Sequence, residues 1–166
     1  MYYEDVEVGK VYKEDCAKTI TGTEIDFVAQ LSGLDLPGFL DAEVAKKWGF
    51  KNRVTPGPYI LACMFGLMAR QGFLSNALWM GAEQISFKSP VFPCDKISAE
   101  VEVLSMKPSK RGGGPVTYSW RVTNQEGTLI AEGVNTCLFA GKPAAESHGP
   151  EEAVEPGNKS AGILTR

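Results

Sequence analysis

The sequence predicts an α+β domain in which one wholly apolar helix lies inside a curled antiparallel β-sheet. Two observations carry this. Residues 57–71 read GPYILACMFGLMARQ, with no charge and no Asn, Gln, Ser or Thr between Tyr59 and Ala69. A surface helix shows one apolar stripe; this run is apolar all round, so it should be buried all round. After Gly72 the pattern changes to period two, apolar against polar, as in antiparallel strands with one covered face. With 166 residues and 43% hydrophobic content, the chain suffices for one domain with a real core, expected over residues 1–140.

Residues 2–20 read as a lead-in loop and a first strand near 11–20. Thr23 then has the place of a helix cap, with Asp26 three residues on in capping-box position. Ile25, Phe27, Val28 and Leu31 recur at helical spacing, and Gly33 ends the helix. Asp41 caps a second short helix, AEVAKKWGF, which finishes at Gly49. Residues 51–56 form a polar loop leading to the apolar helix. Pro58 suits a first helical turn, where a missing N–H costs nothing, and Gly72 stops the helix after Arg70 and Gln71.

The strands follow in order. Ile85 and Phe87 alternate with Ser86 and Lys88 up to a proline corner at 90–93. Ile97, Ala99, Val101 and Val103 form the next apolar face; Val116, Tyr118, Trp120 and Val122 form another. Leu129–Phe139 is a further strand, joined to its predecessor by a tight turn at 124–127. Residues 109–114, SKRGGG, make a looser loop. A curled sheet covered on one face leaves long edges, so a dimer joining two sheets is expected. From residue 141 onward Gly, Pro, Glu, Ser and Lys dominate, the composition of a flexible tail.

Several function classes drop out. A net charge of −3 gives no reason to expect nucleic acid as partner. The apolar run is too short for a bilayer span, and no signal peptide is read, so a cytosolic, reducing compartment is the expectation. The four cysteines lack CxxC spacing, and Cys63 reads as a reduced core filler. There is no Walker loop, metal-ligand cluster or Ser-His-Asp set, so metal, nucleotide-hydrolysis and serine-type chemistry are unsupported.

Six stretches resemble the MaoC-like family of the hot-dog fold: YYEDVEVGKVY, TGTEIDFVAQLSG, DAEVAKKWGF, SFKSPVFPCDKI, VEVLSMKPSK and NQEGTLIAEG. They span about residues 3–140 in the right order. The proline corner ending at Asp95 is the most specific, although Cys94 stands where the family usually has glycine. The resemblance implies a hot-dog fold and a kinship with (R)-specific enoyl-thioester hydratases and 3-hydroxyacyl dehydratases. It implies no cofactor beyond the coenzyme A or pantetheine of the ligand itself.

The same resemblance locates a site. The family's catalytic stretch reads roughly G-D-x-N-P-x-H, followed before the central helix by R-x-x-H-G. Here those places read GLDLPGF at 33–39 and RVTPG at 53–57. The family's aspartate thus falls on Leu34, its asparagine on Leu36, its histidine on Phe39 and its second histidine on Pro56. Hydrating an enoyl thioester needs a base to activate water and an acid to protonate the α carbon, typically worth 10²–10⁴-fold per positioned group. The chain's one histidine, His148, lies in the expected tail. No Asp/His dyad can therefore be assembled within the domain.

Binding groups remain. The resemblance implies that the backbone N–H at the start of the central helix, here Gly57, hydrogen-bonds the thioester carbonyl, as suits the positive end of a helix. Pro56, Gly57 and Pro58 read equally as a stiff start to the helix. Leu34, Phe39, Arg53 and Tyr59 are the further candidates for substrate contact, Arg53 reading also as a structural ion. Lys107, Lys110 and Arg111, amid glycines, suit a phosphate of coenzyme A or of a carrier protein's pantetheine arm, and equally a solvated hairpin. The expectation is an acyl-thioester-binding member without its own dyad, as a homodimer or in a heterodimer with a catalytic MaoC-like subunit. The alternative is an active hydratase, dehydratase or thioesterase using a carboxylate such as Asp35, near Asn52, Thr55 and Tyr59. Asp35 pointing into a tunnel beside Gly57 would favour the enzyme; Asp35 in solvent would favour the binding protein.

Overall fold

The computed structural model describes residues 1–143 apart from Glu14 and Arg111. The expected tail beyond residue 143 and His148 lie outside the described residues. Strands β1 (Val11–Lys13) and β2 (Lys18–Thr19) lead into helices α1 (Gly22–Ser32), α2 (Pro37–Leu40), α3 (Ala42–Lys47) and α4 (Gly57–Arg70). Strands β3 (Ala77–Phe87), β4 (Lys96–Met106), β5 (Gly114–Asn124) and β6 (Leu129–Phe139) complete the domain. The sheet is antiparallel throughout, in the order β1-β4-β5-β6-β3, with β2 also paired to β4.

Helix α4 lies against the inward faces of the long strands, the hot-dog arrangement. Ile60, Cys63, Met64, Leu67 and Met68 are buried, and they meet the alternating residues of β4 and β5, such as Val101 and Trp120. Phe73, just beyond the helix, closes the core. Its ring centroid lies 5.0 Å from that of Tyr12, 5.2 Å from Tyr118 and 5.3 Å from Phe139. Gly72 ends α4 as expected, at φ 81°, a left-handed conformation that side chains disfavour.

Several local expectations are corrected. Helix α1 is capped by Thr21, not Thr23: the Thr21 hydroxyl accepts from Glu24 N–H at 3.2 Å, and Glu24 accepts from Thr21 N–H at 2.9 Å. Glu24 is further held by Lys18 at 2.5 Å, while Asp26 is drawn away to pair with Arg53. Of the apolar residues of α1, Ile25 is buried but Phe27 and Leu31 are exposed. The first strand is broken in two, because the step from Lys13 to Lys18 faces only the shorter step from Glu100 to Ile97. Helix α4 is not covered all round: Ala62, Gly66 and Ala69 are exposed, and Phe65 is half-buried against Trp79.

Strand β3 begins at Ala77, eight residues before Ile85, and its burial does not alternate. It is an edge strand, paired only to β6, and carries register shifts on either side of Ala82 with Gln84 at φ 55°. Its apolar side chains stand exposed, Leu78 at 73% and Met80 at 62%. In the described chain these groups have no cover. The tight turn at 124–127 is as expected, with Asn124 Oδ1 accepting from the N–H groups of Glu126 and Thr128.

Candidate functional site

A cavity of about 360 Å³ opens where three segments meet at the start of α4. The first segment is α2. Pro37 starts this single turn, and Phe39 N–H donates to Leu36 O at 2.9 Å. The Trp48 ring rests so close on Gly38 that an added Cβ would lie 2.1 Å from it, which pins the turn carrying Phe39. The second segment, leading into α4, is tied to the first by Val54 N–H donating to Gly38 O at 3.1 Å. The third is the proline corner after β3, tied to the second by Thr55 N–H donating to Val91 O at 2.8 Å.

These ties place Phe39, Val54, Gly57, Ile60, Phe87 and Val91 around the space, joined by Phe50, Thr55 and residues 88–90. The walls are largely aromatic and aliphatic. Lys88 is the one titratable group among the lining residues, and it pairs with Glu132 at 3.2 Å. No carboxylate, imidazole or thiol lines the cavity among the described residues. Among the described residues Gly57 N–H has no partner, as befits the first residue of a helix between two prolines. A Cβ on Gly57 would meet Phe87 Cζ at 2.9 Å, so the absence of a side chain keeps this corner open.

The candidates from sequence separate in space. Gly57 and Phe39 come together at the cavity. Leu34 is half-buried and Asp35 exposed, and neither lines the cavity. Arg53 forms a close ion pair with Asp26. Tyr59 turns to a separate cavity of about 220 Å³ with Lys18, Cys63 and Arg70. Burial there raises its phenol pKa, assisted by the neighbouring Cys63 thiol. Lys107 and Lys110 are exposed near the end where Gly114, Phe139 and Ala77 lie in register, the opposite end of β3 from Phe87. Arg111 lies outside the described residues. Val54 lies within the second motif stretch, Phe50 and Phe87 within two of the other resembling stretches and Ile60 in the apolar helix; only the fold brings the four to one cavity.

The family model described as "MaoC like domain" matches residues 5–125. The chain belongs to this family. Among curated relatives, the (R)-specific enoyl-CoA hydratase of Aeromonas caviae is 30% identical over 134 residues, covering 80% of this chain and 95% of that one. The uncharacterized protein YdeM of Bacillus subtilis is 28% identical over 143 residues, covering 84% and 99%. Among solved structures, the monoamine oxidase regulatory protein from Archaeoglobus fulgius superposes with a TM-score of 0.75 at 29% identity, covering 86% of this chain and 96% of that one. The MaoC-like assignment accounts for the arrangement of α4 in the sheet and for the segments that converge on Gly57.

Proposed function

We propose that this MaoC-like chain binds acyl thioesters, of coenzyme A or of a carrier protein, and does not hydrate them alone. The observation that carries this reading is the cavity itself: a helix-terminal N–H, unpaired among the described residues, set in largely apolar walls without a carboxylate or imidazole. A helix N-terminus favours the partly negative oxygen of a polarised carbonyl, and a dry surround strengthens that hydrogen bond. The relative named as an (R)-specific enoyl-CoA hydratase supports the ligand class. Proton transfer is what the site lacks. Leu34 and Phe39 stand where the resemblance expects aspartate and histidine, and Asp35 is exposed away from the cavity, which speaks for the binding protein over a carboxylate enzyme.

The reading includes a second subunit, either another copy or a catalytic MaoC-like chain. Its support is β3, an edge strand paired on one side only, with a row of exposed apolar side chains. Pairing two such edges about a two-fold axis runs the strands in opposite directions. The loop carrying Lys107 and Lys110 in one copy would then lie towards the Phe87 end of the other, near its cavity, where cations suit the phosphates of coenzyme A. The test is loss of an enoyl-CoA's ultraviolet absorbance on mixing with purified protein. No turnover above background is expected; robust hydration abolished by Asp35→Asn would establish the carboxylate enzyme instead.

A further inference from the structure

The face of α4 that bears Tyr59 borders the second cavity, of about 220 Å³. Tyr59, Ala62, Cys63, Gly66 and Arg70 recur every three or four residues and so share one side of the helix, while Lys18 of β2 supplies a further wall. Gly66 gives the trough its depth. It lies inside the helix and holds no left-handed φ, a place where glycine is the weakest residue after proline. A Cβ there would meet nothing within 4 Å among the described residues, so no packing contact requires glycine. Ala62, one turn earlier, is exposed. These small residues leave room that the fold itself does not use.

The charge around this trough is unbalanced. Lys18 pairs with Glu24 at 2.5 Å, but Arg70 has no ion pair among the described residues, so one positive charge stays uncompensated. Both cations act on the buried Cys63 thiol, which sets them beside the same space. Ala62, Leu67 and the Gly66 backbone make the rest of the lining mainly apolar. N–H groups in mid-helix are spent within the helix, so they cannot cradle a phosphate. We infer that this cavity binds a small organic carboxylate, its charged group at Arg70 and Lys18 and its apolar body along Ala62, Gly66 and Leu67. An engineered apolar cavity of about 150 Å³ takes up benzene, so 220 Å³ accommodates a body the size of benzoate or hexanoate. The site is separate from the cavity at Gly57 and does not rest on thioester binding there.

The experiment is a proton–nitrogen correlation NMR titration of the full chain with sodium benzoate and sodium hexanoate, with benzamide and sodium sulfate as comparisons. At least one carboxylate should shift the amide signals of Cys63 and Leu67 saturably, with a Kd of about a millimolar or below. Benzamide has the shape of benzoate without its charge and should bind about fivefold more weakly or worse. Arg70→Gln should weaken the carboxylate by a similar factor, the modest size reflecting an exposed cation. Gly66→Leu fills the trough and should abolish the shifts, while its Tm stays level or rises because glycine leaves the helix. Should Gly66→Leu not fold, Ala62→Leu at the exposed position one turn earlier carries the same expectation. No saturable shift with either carboxylate, equal affinity for benzamide or for sulfate, or binding that survives the filled trough would each overturn the inference. Every arm is free of thioester, so none of these results alters the reading of the cavity at Gly57.

Discussion

Gly57→Ala separates what the start of α4 does for folding from what it does for binding. The new Cβ would stand 2.9 Å from Phe87 Cζ, 3.1 Å from Cε2 and 3.3 Å from Cε1. These atoms are the far end of a ring that is 46% exposed, so the ring swings aside and the backbone stays. Gly57 does not hold a left-handed conformation, so alanine brings no backbone strain. In a helix alanine is favoured over glycine by roughly 0.5–1 kcal/mol, which offsets much of the cost of moving the ring. For a chain of this size Tm should therefore shift by no more than about 4 °C. Binding should suffer more. The methyl group crowds the free N–H and displaces a wall of the cavity, removing a hydrogen bond worth about 0.5–1.5 kcal/mol together with part of the apolar fit. Affinity for butyryl-CoA should fall about tenfold or more by calorimetry, with scanning calorimetry confirming the fold. Undiminished affinity at an unchanged Tm would refute the placement of the thioester carbonyl at Gly57.

Other expectations concern the scaffold. Phe73→Ala should cost about 3–5 kcal/mol in urea unfolding, because the ring is fully buried against three aromatic partners; a loss below about 1 kcal/mol would contradict that packing. At Glu24 burial alone would raise the carboxyl pKa, but hydrogen bonds from Lys18 and Thr21 outweigh it and lower the value from 4.5 to about 2. The folded pKa lies below the unfolded one, so this stabilisation is full above about pH 5 and is lost as pH falls through the folded pKa near 2. Glu24→Gln should accordingly cost roughly 1 kcal/mol at neutral pH, after allowance for solvent screening, and lose that effect in acid; a pH-independent difference in chemical unfolding would refute the assignment. Leu78→Lys, on the exposed edge strand, should shift a dimer to monomer in light scattering, whereas an unaltered protein that is already monomeric would exclude the homodimer.

Much of the fold was legible because burial and periodicity agreed. The strands β4 and β5 alternate cleanly, with one face in the core, and α4 declares itself by lacking polar residues. Strand β3 was legible only at its far end. Leu78, Trp79 and Met80 form a continuous apolar run, which alternation cannot assign, and their exposure leaves no inward face for a pattern to reveal. The cap of α1 is ambiguous in sequence because two Thr-x-x-acid frames overlap by two residues; the deciding contact, Lys18 to Glu24, comes from a strand outside the helix. Cys94 shows the reverse case. It sits at φ 75°, the conformation that accounts for the glycine the resemblance expects there.

The candidate site was half legible. Gly57 and Phe39 were reachable because each belongs to a motif stretch, and backbone hydrogen bonds join those stretches. Tyr59 was not separable from Gly57 by sequence: two residues along a helix turn a side chain by roughly 200°, which sends it to the opposite side.

Native mass spectrometry of the protein mixed with crotonyl-CoA separates binding from turnover in one measurement. A protein–ligand complex should form, and the enoyl thioester should be released from it unchanged after prolonged incubation. Release of a ligand heavier by one water, at a rate proportional to protein, would contradict it.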